Sequence, residues 1–210
     1  MKNYCVVCFK LIQDKSLSII INKDICLCFN CLKKMKPKFK LLTIDSYKGL
    51  GLYEYDGMIK DLLFQYKGCG DIALRNVFFC YFSLLLRIVF INYIIVPVPS
   101  YYLKDEKRGF NHVEEMYKIM HKRIYKCIKK TKDIKQSERN YQERKKVKNY
   151  FAFVGDKTVL FQKKVLIVDD VLTTSMTMRA CIDLIRQCNP KKILFLVMSY
   201  TCRKNYKFDD

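Results

Sequence analysis

The residues best suited to chemistry are packed into Asp169-Asp170-Val171-Leu172-Thr173-Thr174-Ser175-Met176-Thr177. Thr173, Thr174, Ser175 and Thr177 supply hydroxyl donors. If a helix begins here, its unpaired N–H groups and partial positive charge make the loop suited to a phosphate monoester. Asp169 and Asp170 cannot bind phosphate themselves. Two carboxylates above a phosphate cradle suit the neighbouring hydroxyls of a ribose, directly or through a divalent cation.

The flanking sequence predicts the elements that would hold this loop. Val165-Leu166-Ile167-Val168 reads as a buried parallel strand. Met178, Cys181, Ile182, Leu184, Ile185 and Cys188 recur at helical spacing until Asn189-Pro190 ends the helix, and Ile193–Met198 reads as the next strand. Strand, loop, helix and strand make a βαβ crossover, which is right-handed and places its ligand beyond the strand's carboxyl end.

A second constellation lies at the N-terminus. Cys5-Val6-Val7-Cys8 and Cys28-Phe29-Asn30-Cys31 are separated by nineteen residues, and two such knuckles can supply four thiolates to tetrahedral zinc. Cys26 is a rival ligand, although a CxxC loop fits a zinc knuckle better than a CxC. A segment this short has no core of its own, so metal ligation would supply much of its folding free energy. The domain expectation is therefore a zinc-ribbon module over 1–40 and a larger domain over 41–210.

Composition bounds the partners. The chain has 210 residues, 50% hydrophobic and 29% charged, as expected of a globular protein rather than a disordered one. Its formal net charge of +20 favours a polyanionic partner, either nucleic acid, an acidic membrane surface or a phosphorylated metabolite, although a biased genome composition would also enrich lysine. Basic residues cluster at Lys33, Lys34, Lys36, Lys38 and Lys40, and again over Lys129–Lys148, where nine basic residues face three acidic ones and a mobile basic segment is expected. Eleven cysteines, with no secretory signal, indicate a reducing cytoplasm. Val77–Val96 is long enough to span a membrane, but Arg87 and Asn92 interrupt it. It reads instead as a buried helix to about Phe90 and then a core strand, with no stable membrane insertion.

The remaining elements follow by periodicity. Leu52–Tyr55 alternates like a strand, Asp56-Gly57 turns, and Ile59, Leu62, Leu63 and Tyr66 mark a helix that Gly68 stops. Asn92–Val98 is a strand whose exit, Pro97-Val98-Pro99-Ser100, should open on the same edge as Asp169. Arg108-Gly109-Phe110-Asn111 could set a guanidinium beside the phosphate cradle, where its fork would suit pyrophosphate. Val113, Met116, Tyr117, Met120, Ile124, Cys127 and Ile128 recur at helical spacing. His112 and His121, the only histidines, read as ordinary helix residues.

The run ending in Asp169-Asp170 and Thr173–Thr177 resembles the phosphoribosyl-pyrophosphate (PRPP) motif of type I phosphoribosyltransferases, with Ser175 where that family usually has glycine. Together with CxxC…CxxC, the Tyr-x-Tyr-x-Gly…Tyr-Lys-Gly pattern of Tyr53–Gly68, Val-Pro-Val-Pro, Arg-Gly-Phe-Asn and Gln136-Ser137, it resembles the competence protein F (ComF) family over nearly the whole chain. The resemblance implies an α/β fold, a type I phosphoribosyltransferase-like parallel sheet flanked by helices with a small zinc-ribbon module. It implies structural Zn²⁺ on Cys5, Cys8, Cys28 and Cys31, and Mg²⁺ with PRPP at Asp169, Asp170 and Thr173, Thr174, Ser175, Met176 and Thr177. Pro99 and Ser100 would lie at the pyrophosphate loop, with Arg108, Gly109 and Asn111 beside it. A cytoplasmic role in DNA uptake during natural transformation follows, with single-stranded DNA and uptake or helicase proteins as partners. The alternatives are an active phosphoribosyltransferase in nucleotide salvage and a non-catalytic PRPP sensor.

Overall fold

A computed structural model describes residues 4–12, 24–120, 123–131 and 150–201. Its centre is a five-stranded sheet in the order β1-β2-β7-β6-β3, formed by β1 Lys40–Ile44, β2 Tyr47–Glu54, β3 Tyr93–Pro97, β6 Lys164–Leu172 and β7 Lys192–Tyr200. Only β1 runs antiparallel, while β2, β7, β6 and β3 are mutually parallel. A parallel sheet needs cover on both faces, which explains the unbroken aliphatic runs in β6 and β7. On one face α2 (Gly57–Gly68) and α5 (His112–Tyr117) share a core with Leu166, Val168, Leu196 and Met198. On the other, α6 (Met176–Arg186) packs Met178, Cys181, Ile182 and Ile185 against Val165, Ile167, Phe195 and Val197. The sheet with its two helical faces is the α/β architecture expected.

The N-terminal cysteine segment is docked on the first of these cores. Leu27, Cys31 and Met35, the last two on α1 (Phe29–Met35), are buried in the same cluster as Leu52 and Phe78, and the Tyr81 hydroxyl donates to the Leu27 carbonyl at 2.8 Å. In β2, Gly49 and Gly51 make room for the rings of Phe195 and Tyr200, which would lie 2.2 and 2.4 Å from an added Cβ. Any side chain there would push β2 away from β7.

Three expectations change. The helix expected through Val77–Phe90 is a turn followed by the short α3 (Ser83–Val89), with Leu86 and Phe90 inward and Leu84, Leu85 and Ile88 exposed, because a short helix on the outside of a core buries only a stripe. Among the described residues no helix is long and apolar enough to cross a membrane. The helical spacing from Val113 to Ile128 holds only to Tyr117. Ile124 instead bridges in parallel to Ile95, with the Ile95 N–H donating to the Arg123 carbonyl at 3.0 Å and the Tyr125 N–H to the Ile95 carbonyl at 2.8 Å. The open edge of β3 outcompetes the helix, since its backbone groups need partners and Ile124-Tyr125 favours extended chain. Third, Lys129 and Lys130 belong to β4 (Ile128–Lys130), which pairs antiparallel with β5 (Phe151–Phe153). The rest of the basic segment, Gln136-Ser137 and His121 lie outside the described residues.

Candidate functional site

The carboxyl ends of β6 and β3 come together as anticipated. The Val98 N–H donates to the Val168 carbonyl at 2.9 Å, which holds the Pro97-Val98-Pro99 exit beside Asp169. Strand β6 continues through the acid pair to Leu172, and Thr173 and Thr174 are exposed in the loop before α6. Ser175 makes no capping bond, and among the described residues no side chain is seen to cap the first turn of α6, whose leading N–H groups open on the loop. Ser175 has φ −65°, an ordinary right-handed conformation. Serine in place of glycine therefore carries no backbone strain here.

Around Asp170 the structure assembles residues that lie far apart in the sequence. Asp170 is 7% exposed, and its Oδ2 accepts from Lys67 Nζ at 2.6 Å and lies 3.2 Å from His112 Nε2. Oδ1 accepts the Val171 N–H at 2.7 Å. Lys67 comes from the last turn of α2 and His112 from the first residue of α5, both on the face that buries Val168. An arginine N–H cannot accept a hydrogen bond, so Arg108, whose terminal nitrogen lies 2.9 Å from His112 Nδ1, assigns the imidazole proton to Nε2, where it donates to Asp170. Burial opposes charge on Asp170, but Lys67 and His112 outweigh it and hold the carboxyl well below the usual range. Burial likewise opposes charge on Lys67, and Asp170 overrides it and raises the ammonium. Asp169 goes the other way, pushed well up by burial and by the adjacent Asp170 charge.

Arg-Gly-Phe-Asn is the turn that builds this corner. Gly109, at φ +83°, is the left-handed cap of α4 (Tyr102–Arg108), a conformation glycine adopts without cost. Asn111 caps α5 by accepting the Glu114 N–H at 2.9 Å, and its amide donates to Ser100 Oγ at 3.0 Å and Asp105 Oδ2 at 2.8 Å. Ser100 also donates to Asp105. Arg108 Nε donates to the Lys67 carbonyl at 2.7 Å, a cation at the carboxyl end of α2, and Phe110 packs against Tyr66 with ring centroids 5.4 Å apart. Arg108 is thus linked to Asp170 through His112 and Lys67, Ser100 is held by Asp105 and Asn111, and the polar groups of both are engaged within the fold. Sequence reasoning assigned no role to Lys67, and it treated His112 as an ordinary helix residue. The structure corrects the latter, because His112 is 8% exposed and bonded to an acid 58 positions away. No local pattern reveals a partner at that separation.

The Sγ atoms of Cys5, Cys8, Cys28 and Cys31 all lie within 4.8 Å of one another, with Cys8 and Cys28 3.7 Å apart. Zinc–sulfur bonds of about 2.3 Å place tetrahedral ligands roughly 3.8 Å apart, so these four thiols fit the ion. Burial opposes a Cys5 thiolate, but the N–H groups of Cys28, Cys8 and Val7 outweigh it and bring the thiol down to about 7. Cys26 stands outside the cluster. A hydrogen bond with Cys80 and burial push its thiol up, so it is poorly placed to ionise for a metal.

The parallel sheet, acid pair and hydroxyl loop define a phosphoribosyltransferase-like domain, and residues 107–207 match the phosphoribosyl transferase domain family. Competence protein ComFC of Streptococcus pneumoniae is 25% identical over 90% of this chain and 96% of its own length. Competence protein ComFC of Bacillus subtilis is 25% identical over 60% of this chain and 53% of its own. With its N-terminal cysteine cluster, the chain is similar to these competence proteins over most of its length. A hypoxanthine-guanine phosphoribosyltransferase structure from Bacillus anthracis covers 61% of this chain and 70% of its own at 12% identity and a TM-score of 0.37, too distant to carry an argument.

Proposed function

We propose that this protein binds Mg²⁺-PRPP where β6 and β3 end and acts in the cytoplasm during DNA uptake. The observation that carries the ligand reading is the β6–α6 turn, where Asp169 is half-buried beside an uncapped helix start flanked by exposed Thr173 and Thr174. The first-turn N–H groups of Met176 and Thr177 and the hydroxyls of Thr173, Thr174, Ser175 and Thr177 hold the 5-phosphate. Asp169 meets the ribose hydroxyls, and Tyr117, whose hydroxyl donates to the Asp169 carbonyl at 2.8 Å, fixes the backbone that carries it. Bound Mg²⁺ supplies positive charge against the pyrophosphate. Pro99, Ser100 and Gly109 shape the wall on the pyrophosphate side, and Arg108 steadies it through Asp105 and the Lys67 carbonyl.

The name shared by the two relatives supports the DNA-uptake reading, as do the exposed Lys33, Lys34, Lys36, Lys38 and Lys40 beside the cysteine cluster, which suit the backbone of single-stranded DNA. The cluster, filled by zinc, is structural. Calorimetric titration with PRPP at fixed Mg²⁺, with ribose 5-phosphate as the control, tests the ligand reading. Saturable binding that the control does not match is expected, and absence of binding contradicts it.

A further inference from the structure

We infer that the two neighbouring carboxylates divide their work: Asp169 meets the phosphoribosyl ligand, while Asp170 is an internal anchor held by Lys67 and His112, which act as positioning residues. The ligand half of this inference rests on the PRPP reading above; the anchor half does not.

Successive side chains of a strand project to opposite faces, and both residues lie within β6. Val165 and Ile167 belong to the core beneath α6, the face on which Asp169 follows in alternation. Leu166 and Val168 belong to the core beneath α2 and α5, where Asp170 meets Lys67 and His112. Every oxygen of Asp170 is occupied: Oδ2 by Lys67 at 2.6 Å and His112 at 3.2 Å, Oδ1 by the Val171 N–H at 2.7 Å, and the carbonyl by Ser199 Oγ at 3.2 Å. Three donors already take up most of the acceptor capacity of this carboxylate, and both side-chain donors fall on Oδ2, so a ligand would have to compete with Lys67 and His112 for its charge. Asp169 accepts the Asp170 N–H at 2.9 Å and its carboxyl also interacts with that of Asp170, but no ion pair to a lysine, arginine or histidine is seen for it among the described residues. Asp169 is half-buried where Asp170 is 7% exposed.

The anchor explains why three helices converge here. Arg108 ties the end of α2 through the Lys67 carbonyl and presents an N–H to His112 Nδ1; His112 and Lys67 then close on one oxygen of Asp170. The bracket fixes the carboxyl end of β6, and with it the entry to the phosphate loop. A partner of Asp169 can therefore bind without dismantling the corner.

Two measurements on the full chain test this. The first is the ¹⁵N signature of the imidazoles, assigned by comparison with His112→Gln. The wild type should show His112 protonated at Nε2 and not at Nδ1. Asp170→Asn and Lys67→Gln should both shift that signature, Lys67→Arg should restore it, and Asp169→Asn should leave it unchanged. The second is PRPP affinity at fixed Mg²⁺, where Asp169→Asn should weaken binding at least tenfold and Asp170→Asn less than threefold. An Nδ1-protonated His112 in the wild type, or one indifferent to Asp170→Asn, overturns the anchor. Tenfold loss on Asp170→Asn with wild-type affinity in Asp169→Asn overturns the division of labour. A wild type that keeps the Nε2 signature but binds no PRPP defeats the ligand half together with the PRPP reading, and upholds the anchor alone. Should Asp170→Asn fail to fold, the Lys67→Gln and Lys67→Arg pair carries the same comparison.

Discussion

Replacing Lys67 with methionine removes the charge that faces Asp170 while keeping the apolar stem. The side chains are 34% and 9% exposed, so the acid is buried and the ammonium reaches solvent. Removing one partner of a fully buried pair costs about 3–5 kcal/mol. Two features reduce that figure, since Lys67 is screened on its open side and Asp170 keeps His112 and the Val171 N–H. We expect a loss of about 2–3 kcal/mol at pH 7, read as a lowered midpoint of urea unfolding at unchanged m-value. The pH dependence distinguishes lost charge from lost packing. Asp170 has a depressed folded pKa, so its stabilising contribution is fully present above the unfolded carboxyl value, about 3.9, and is lost as pH falls through the folded value. Without Lys67 that folded pKa rises. The gap between variant and wild type should then narrow as acid protonates Asp170 first in the variant and finally in both. Asp170→Asn should abolish most of the effect of Lys67→Met in a double-mutant cycle. A gap that stays the same size as pH falls from 7 to well below the ordinary carboxylate range, or additive effects in the cycle, would refute the charged bracket and leave only packing.

Further consequences can be measured independently. Elemental analysis should find one zinc per chain, with Cys28→Ser losing it and Cys26→Ser retaining it; zinc retained in Cys28→Ser would point to a different ligand set. Chelation should lower thermal stability, because Cys5 and Cys31 sit in the same core as Leu52 and Phe78. Ser175→Gly should change stability by only a few tenths of a kcal/mol, since Ser175 is already right-handed and makes no capping bond; a large gain would mean the serine is strained after all. Single-stranded DNA affinity should fall with salt at a log–log slope of about −0.7 per neutralised phosphate, and reversing Lys33, Lys34 and Lys36 to glutamate should flatten that slope, whereas an unchanged slope would make the lysines bystanders.

Much of the site was legible because it is local. Val165–Val168, the acid pair, the hydroxyl loop and the 3.6-residue pattern from Met178 to Ile185 form one contiguous stretch, and each part agrees with its neighbours in chain order. The cysteine knuckles were legible for the same reason. What escaped reading depends on tertiary pairing. The bond from His112 to Asp170 spans 58 positions and that from Lys67 to Asp170 spans 103, and neither residue type at its own position signals burial. Ile124 was misread because its spacing fits a helix while the vacant edge of β3 offers its backbone better partners. Nor does the Arg-Gly-Phe-Asn turn announce on its own that the Arg108 guanidinium reaches Asp105, His112 and the Lys67 carbonyl.

The central claim is that Asp169 and the loop before α6 hold a phosphoribosyl ligand, and calorimetry of PRPP with Mg²⁺ tests it most directly. Because burial and Asp170 raise the pKa of Asp169 in the free protein, a ligand that needs its charge should bind more tightly as pH rises from the ordinary carboxylate range through that elevated value, with protons released on binding. Saturable binding of that kind, unmatched by ribose 5-phosphate and lost by an order of magnitude in Asp169→Asn, is the result expected. A folded wild-type protein that takes up no PRPP, or an Asp169→Asn protein that binds it with unchanged affinity and proton release, would contradict the claim.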